Sequence, residues 1–480
     1  MNLPKTHLLL CRAAACVVAF CTVSQAFSQY QRAWTVEGWL DRRDYVSDIT
    51  LDAAGNAYAT GYTEDVYGTP PSTLYEGAVA AKFDPVGNRE WLSNAYSGRS
   101  LDHVADVRVD ASNNVFIAGE TYRYGAAVAG AESFLVKFAN DGTRLWERHL
   151  GSPDNEFGMS LAVDALGNAY VGGSTTGDLV GGGKHGYDPF VAKYDTNGAL
   201  LWVKQYADPA INPYPGSMSI SPGHGIYLGF GGTIDGGLAR LDEAGEFLWF
   251  QKPNYSEMPS LHTDIYGVTS DADGNVYATG IAEFAYTNGY PFFGGKAVVA
   301  KHEPDGALLW SETVPTVFQS TATDVTLDSL GNIYISGATN RVVGGLDAGD
   351  SDAFWAKFSP QGDLLWFEQW GTEFSESASG LAVDQAGRVF VAASQSRTLN
   401  DYYAADGNVS IIRFNLIPEP NTAPLVATAA LALAIATANA RGSGPHLQGD
   451  PHERIRLIEA RAVRKLQQTS RNQGLNGFFD

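Results

Sequence analysis

Hydrophobic and polar positions alternate along most of the chain in short runs, the period of half-buried strands rather than helices. One stretch shows the pattern whole, with alternating runs at Asp324–Asp328, Asn332–Ala338, Ala353–Ser359 and Asp363–Trp370. The first two runs are joined by Asp328-Ser-Leu-Gly-Asn332 and the last two by Ser359-Pro-Gln-Gly362. Both joints read as hairpin turns, in which Gly or Asn takes positive φ. A longer, variable segment separates the second run from the third. The turn phrase returns around Asp52, Asp110, Asp164, Asp271 and Asp384, and a worn copy runs from Ser219 to Tyr227. Trp91, Trp146, Trp202, Trp249, Trp310 and Trp366 close the units, a repeat of about 55 residues.

Four antiparallel strands in a unit of that length fit a propeller blade. The two ends of the array supply a further clue. A seventh copy begins at Ser379 and reaches Phe414 but stops without its Trp strand, while Arg32-Ala-Trp34-Thr-Val-Glu37 is a Trp strand with nothing before it. Pairing these two fragments completes a seventh blade and removes an open sheet edge. The pattern therefore predicts an all-β fold over residues 27–416: a seven-bladed β-propeller of four-stranded antiparallel blades, closed by an N-terminal strand completing the last blade. An open solenoid of stacked sheets would leave both half-units unexplained.

The unit resembles the bacterial beta-propeller repeat known as the SBBP repeat. The matching phrases are Asp-x-x-Gly-Asn-x-Tyr, Ala-Phe-x-Ala-Lys and the closing Leu-Leu-Trp. This resemblance implies an architecture and an extracytoplasmic setting, and no catalytic chemistry. The stretch from Ala192 to Trp202 is also similar to the tryptophan-docking motif of quinoprotein propellers, although Asp195 falls one place late. The recurring Trp is accordingly read as a packing device between blades.

Composition agrees with a strand-rich chain: 53 Gly, 23 Tyr, 23 Phe and 4 Met. The formal charge is −21, carried by the body of the chain. A surface that acidic repels phosphate backbones, so no nucleic acid is expected as a partner. Residues 1–26 hold Lys5, Arg12, an apolar run from Ala13 to Phe20 and then Ser24-Gln25-Ala26, the layout of a secretory signal peptide. A short membrane anchor is the alternative. A lipoprotein signal fits less well, because Phe20 precedes Cys21. All three cysteines, Cys11, Cys16 and Cys21, lie in this leader, so the mature chain offers no thiol chemistry.

Beyond Phe414 the sequence changes character. Ile417, Pro418 and Glu419 precede an uncharged stretch from Pro420 to Ala440, followed by Arg441. As a helix those residues would reach about 31 Å, enough to cross a bilayer. The order over 417–441 resembles the PEP-CTERM sorting signal, which implies an exosortase-like sorting protease as partner and transient membrane anchoring through 420–440. Residues 442–480 form a basic tail, in which Glu453–Lys465 fits a short amphipathic helix at a membrane surface or a remnant removed with the anchor.

No catalytic signature, cofactor site or metal set is assigned. His103, His149, His185, His224, His262 and His302 fall at different points of the repeat and read as lone surface histidines. Gly181-Gly-Gly-Lys184 lacks the full phosphate-loop pattern. Acidic turns such as Asp271–Asn275 and Asp347–Asp352 place oxygens together as calcium prefers, but hairpins need the same residues for their own backbone bonds. The candidate ligand-binding residues are aromatic rings in the long loops between second and third strands: Tyr67, Tyr124, Tyr286, Tyr290, Phe292, Tyr402 and Tyr403. Such rings stack on sugars or anchor a protein partner, or else pack down on their own loops. The expectation is an exported, non-enzymatic propeller of the outer envelope, cell surface or extracellular matrix, binding protein or exopolysaccharide through that face. The alternative is an extracytoplasmic propeller enzyme, polysaccharide-active or a quinoprotein-like dehydrogenase. Intact mass of the envelope-associated protein tests the two processing events: the mature chain is expected to start near Phe27 and to lack the segment beyond Pro420. Retention of that segment refutes the sorting step.

Overall fold

Each repeat folds as a separate four-stranded antiparallel sheet, and seven such sheets are present. The computed structural model describes residues 30–38, 43–64, 77–94, 102–122, 130–183, 186–206, 214–231, 236–253, 255, 262–285, 293–314, 316, 319–339, 351–372, 374–396 and 408–416. Blade one comprises Arg43–Leu51, Ala57–Glu64, Gly77–Phe83 and Arg89–Asn94 in sequential order. Blade seven comprises Ser375–Val383, Val389–Ser396 and Asn408–Leu416, with Tyr30–Glu37 as its outer strand. That outer strand runs antiparallel to its neighbour, with Tyr30 opposite Leu416 and Glu37 opposite Ser410. The predicted closure is therefore the observed one, and the open solenoid is excluded.

First strands of successive blades pack side by side around the axis, and blade one meets blade seven in the same way. Apolar clusters straddle blade boundaries: Val46, Ile49, Ala59 and Val79 of blade one pack with Phe390, Ala392, Val409 and Ile411 of blade seven. Third strands such as Gly77–Phe83 are buried along their whole length, whereas fourth strands such as Leu200–Gln205 expose their first residues. A sheet covered on both faces by neighbours needs a continuous apolar run, while the rim needs only one covered side.

The sixth blade shows where alternation misleads. Its first strand is Ser320–Leu327, starting ahead of the expected Asp324, because a bulge between Ala322 and Asp324 interrupts the period of two. The other three strands, Ile333–Thr339, Asp352–Phe358 and Leu364–Trp370, lie within a residue or so of expectation.

Most of the short turns are bonded by an aspartate at their head, whereas Ser359 Oγ takes that place in the last turn of the sixth blade. In blade one, Asp52 Oδ1 accepts from the backbone N–H of Ala54 and Asn56 at 2.9 Å, and Oδ2 accepts from Asn56 Nδ2 (2.7 Å) and the Tyr58 hydroxyl (2.9 Å). Asp271 is engaged in the same way by Asp273, Asn275 and Tyr277. A lysine from the third strand lies over the ring that follows, as Lys357 does over Tyr334 at 4.9 Å while pairing with Asp328 at 3.5 Å. The repeated Asp, Asn, Tyr and Lys thus form one structural unit.

Tryptophans of the fourth strands reach across blade boundaries. Trp91 Nε1 donates to the carbonyl of Asn140 (2.9 Å), Trp146 to Thr196 (3.2 Å), Trp310 to Pro360 (3.2 Å) and Trp34 to Pro85 (3.3 Å). Each acceptor sits in the third-to-fourth turn of the next blade, and the indole lies on that turn's glycine. At Gly142, with φ 83°, a β-carbon would stand 2.8 Å from the Trp91 ring. Trp34 makes this contact from the closing strand onto blade one. The docking role expected for the recurring Trp is observed.

Gly142→Ala is expected to destabilise the protein by about 2–4 kcal/mol, combining the left-handed backbone with the ring collision. Gly387→Ala, with φ 74° and open space around it, carries only the backbone part, about 1–2 kcal/mol. Denaturant unfolding of the two variants separates the contributions, and equal effects would show that the indole contact is dispensable.

Candidate functional site

The innermost edge of every blade faces the axis, and an edge strand has backbone amides with no partner in its own sheet. The bulge found in all seven first strands addresses this. At the bulge, blades one, two, four and six carry Asp48, Asp106, Ser217 and Asp324. Each accepts a hydrogen bond from the next blade: Val107 N–H to Asp48 (3.3 Å), Leu161 to Asp106 (2.8 Å), Val268 to Ser217 (2.9 Å) and Leu381 to Asp324 (2.7 Å). In blade seven the equivalent residue is Gly380, where a β-carbon would come within 2.7 Å of Asp48 Oδ1.

Three of these carboxylates converge on one cation. Arg108 Nη1 lies 2.6 Å from both Asp48 Oδ2 and Asp106 Oδ1 and donates to the Val107 carbonyl at 2.7 Å. Burial pushes Asp106 well above the usual carboxylate range against the pull of Arg108, and Asp48 pushes it the same way. Burial also raises Asp324, to about 7, with Asp48 adding to the effect and Arg108 opposing it. Burial disfavours the charge on Arg108, but Asp106, Asp48 and Asp324 together raise its pKa. The channel thus keeps its guanidinium charged and raises two of the carboxyls around it, Asp106 and Asp324.

A cavity of about 220 Å³ occupies the half of the channel next to the short turns, lined by Asp48, Arg108, Ser219, Thr269, Asp324 and Thr326 among others. At about 30 Å³ per water it holds roughly seven waters. That volume suits solvent or one small polar molecule.

The other mouth of the channel is different in character. Tyr45 and Tyr62 stack with ring centroids 4.7 Å apart and planes 17° from parallel. His103 lies 5.0 Å from Tyr62, and its Nδ1 is 3.4 Å from Glu120. Phe157 and Tyr187 form a second aromatic pair at 6.2 Å. These side chains lie where second strands end and third strands begin, the end of the disc from which the long connections depart. Tyr45, His103 and Phe157 each precede their turn aspartates Asp52, Asp110 and Asp164 by seven residues. That shared register is a signal present in the sequence, as is the bulge position of Asp48 and Asp106. Neither was legible without knowing which repeat position meets the mouth or the axis.

The sequence-based candidates Tyr67, Tyr124, Tyr286, Tyr290, Phe292, Tyr402 and Tyr403 lie outside the described residues, as do Pro418, Glu419, Pro420 and Arg441. The structure corrects the reading of His302 as a surface residue. It is buried, with Nδ1 2.9 Å from the Gly306 carbonyl and Nε2 3.1 Å from the Tyr255 hydroxyl, because it fills a core position that Phe83 and Phe358 occupy in other blades. The glycine stretch after Asp178 is also resolved chemically. The Asp178 carboxylate accepts from the backbone N–H groups of Val180, Gly181, Gly182 and Gly183, so those amides already hold an internal anion.

Fold and repeat define a seven-bladed β-propeller of four-stranded antiparallel blades. Residues 146–179 match the family model described as the SBBP beta-propeller repeat. The match runs from the outer strand of one blade into the inner strands of the next, the same offset that the closing strand uses. No curated protein sequence matches the chain. Among solved structures it is similar to virginiamycin B lyase from Staphylococcus aureus at 12% identity, with 81% of this chain and 100% of that chain covered and a TM-score of 0.47. An ulvan lyase matches at 11% identity over 80% of this chain and 96% of that one, TM-score 0.45. A gluconolactonase from Xanthomonas campestris matches at 15% identity over 62% and 84%, TM-score 0.33. The likeness concerns the fold alone.

One expectation is corrected by these neighbours. The chain was expected to be non-enzymatic because the repeat implies no chemistry, yet enzymes occupy folds of this kind. The architecture gives no ground for excluding catalysis, and the neighbours lend this chain no activity.

The channel makes a pH-dependent expectation. A carboxyl whose folded pKa exceeds its unfolded value stabilises most below the unfolded pKa, and loses that contribution as pH rises through the folded one. Asp324 should therefore lower stability between about pH 4 and pH 7, by about 1–3 kcal/mol, and Asp324→Asn should make that slope shallower. Arg108→Met leaves Asp48 facing Asp106 and should cost about 3–5 kcal/mol, more at pH 8 than at pH 5. Chemical denaturation across that range checks both, and a pH-independent loss in Arg108→Met would contradict the cluster's charge state.

Proposed function

We propose that the protein is an exported propeller that binds exopolysaccharide at the mouth bearing the long connections, sorted to the outer envelope or its matrix by an exosortase-type protease. The Tyr45–Tyr62 stack beside His103 and Glu120 carries the reading. Flat aromatic faces take the apolar face of a sugar ring, while neighbouring polar groups take its hydroxyls. Connections 65–76, 123–130, 176–187, 232–236, 286–292, 340–351 and 397–407 differ in length, whereas the turns at the opposite end are short and uniform. A rigid ring with variation confined to one end is the arrangement of a binding scaffold. The acidic body favours neutral or cationic glycans over polyanionic ones.

Glycan-array binding of the mature protein tests this. Tyr45→Ala and Tyr62→Ala are each expected to weaken binding about 2- to 12-fold with little change in melting temperature. Tyr290→Ala and Tyr402→Ala test the adjoining loops in the same assay. Unchanged glycan binding in all four variants removes the mouth as the site. Capture of an envelope protein that the same variants abolish would replace the glycan by a protein ligand.

A further inference from the structure

Large apolar side chains that remain exposed among the described residues are gathered at one end of the disc. Leu201, Leu248 and Leu309 stand at the starts of fourth strands, with relative exposures of 53%, 51% and 47%, and Leu166 and Leu330 cap first-to-second turns. Of the exposed large hydrophobic residues among those described, only Val180 and Tyr187 belong to the opposite, loop-bearing end. An apolar rim confined to one face marks a contact surface.

The chain leaves the ring at that same face. The third strand of blade seven pairs Asn408 with Gln395 and Phe414 with Val389, so Leu416 lies beside the 384–388 turn. Only residues 417–420 separate Leu416 from the uncharged run 421–440. Four extended residues reach about 14 Å at most. Once the run enters a bilayer, the face carrying Leu416 is held within that distance of the headgroups.

We infer that the short-turn end of the propeller lies against a lipid bilayer, its leucine rim in the interfacial zone and its aromatic mouth turned away. This rests on the proposed transient membrane anchoring through 420–440 and describes the chain before the sorting protease cuts it. Turn carboxylates of Asp84, Asp141, Asp195, Asp242 and Asp305 share the face, so zwitterionic lipid suits it and densely anionic lipid repels it. The orientation gives anchoring and ligand capture opposite ends of one rigid body.

The test uses the full chain with Cys11→Ser, Cys16→Ser and Cys21→Ser, reconstituted in phosphatidylcholine vesicles. Single cysteines are introduced by Leu201→Cys or Leu309→Cys at the turn end and by Val180→Cys at the loop end, then labelled with a nitroxide. Flotation is measured first, alongside a chain lacking 421–440. Association that this deletion abolishes supports the anchor. Association that survives it, or none in the undeleted chain, removes the anchor reading and this orientation with it. Accessibility to an aqueous nickel complex and to oxygen is then compared between vesicle-bound and free protein. A several-fold fall in nickel accessibility at positions 201 and 309, with none at 180, is the expected result. Equal water exposure at all three sites in floating protein overturns the orientation and leaves the anchor standing.

Discussion

Seven sheets close into a ring only because the last one takes its fourth strand from the front of the chain. Tyr30–Glu37 pairs along Asn408–Leu416, and that pairing holds the circumference at seven. Without it, blade seven would present a bare edge and blade one would lose the indole of Trp34 from its third-to-fourth turn. The hydrogen bonds of one strand therefore tie together residues nearly four hundred positions apart. They turn a linear array, in which each unit stabilises only its neighbours, into a closed body with no terminal unit.

Closure creates the channel, and the channel imposes its own chemistry. Seven inner edges meet at an axis where their amides have no sheet partner. Carboxylates and a serine from adjacent blades supply the missing acceptors. Burying Asp106 and Asp324 between the blades makes their charges expensive, and Arg108 compensates for part of that cost. The cluster is first a solution to a backbone problem. The raised pKa of Asp106 and Asp324 is a consequence of the place where the solution had to be built.

The same closure divides the surface. Every hairpin turn bonded by its own aspartate lies at one end, and every long connection departs from the other. Because strand direction alternates within each blade, this division follows from having an even number of strands per blade. It leaves one end free to vary while the other stays bound to the core. Sites recruited at the variable end do not disturb the packing that supports them, so rigidity and variation coexist in one ring.

Residue order alone determined the blade count, the strand order within each blade and the closing strand, because a period of two inside a repeat of fixed length leaves few other ways to bury the apolar faces. Turn chemistry was equally local: Asp52, Asn56 and Tyr58 lie close enough in sequence to bond within a single hairpin. The interblade role of Trp91 was legible from its recurrence, though not its acceptor, the Asn140 carbonyl of the next blade. Tertiary structure alone decided that Asp48, Asp106, Arg108 and Asp324 would meet, that His302 would be buried, and that Tyr45 and Tyr62 would share the mouth with His103. Those groupings depend on which residues of different blades face one axis, a matter of ring radius and bulge position. Periodicity fixes neighbours along a strand and across a hairpin, but distance across a channel is set only once all seven sheets have closed.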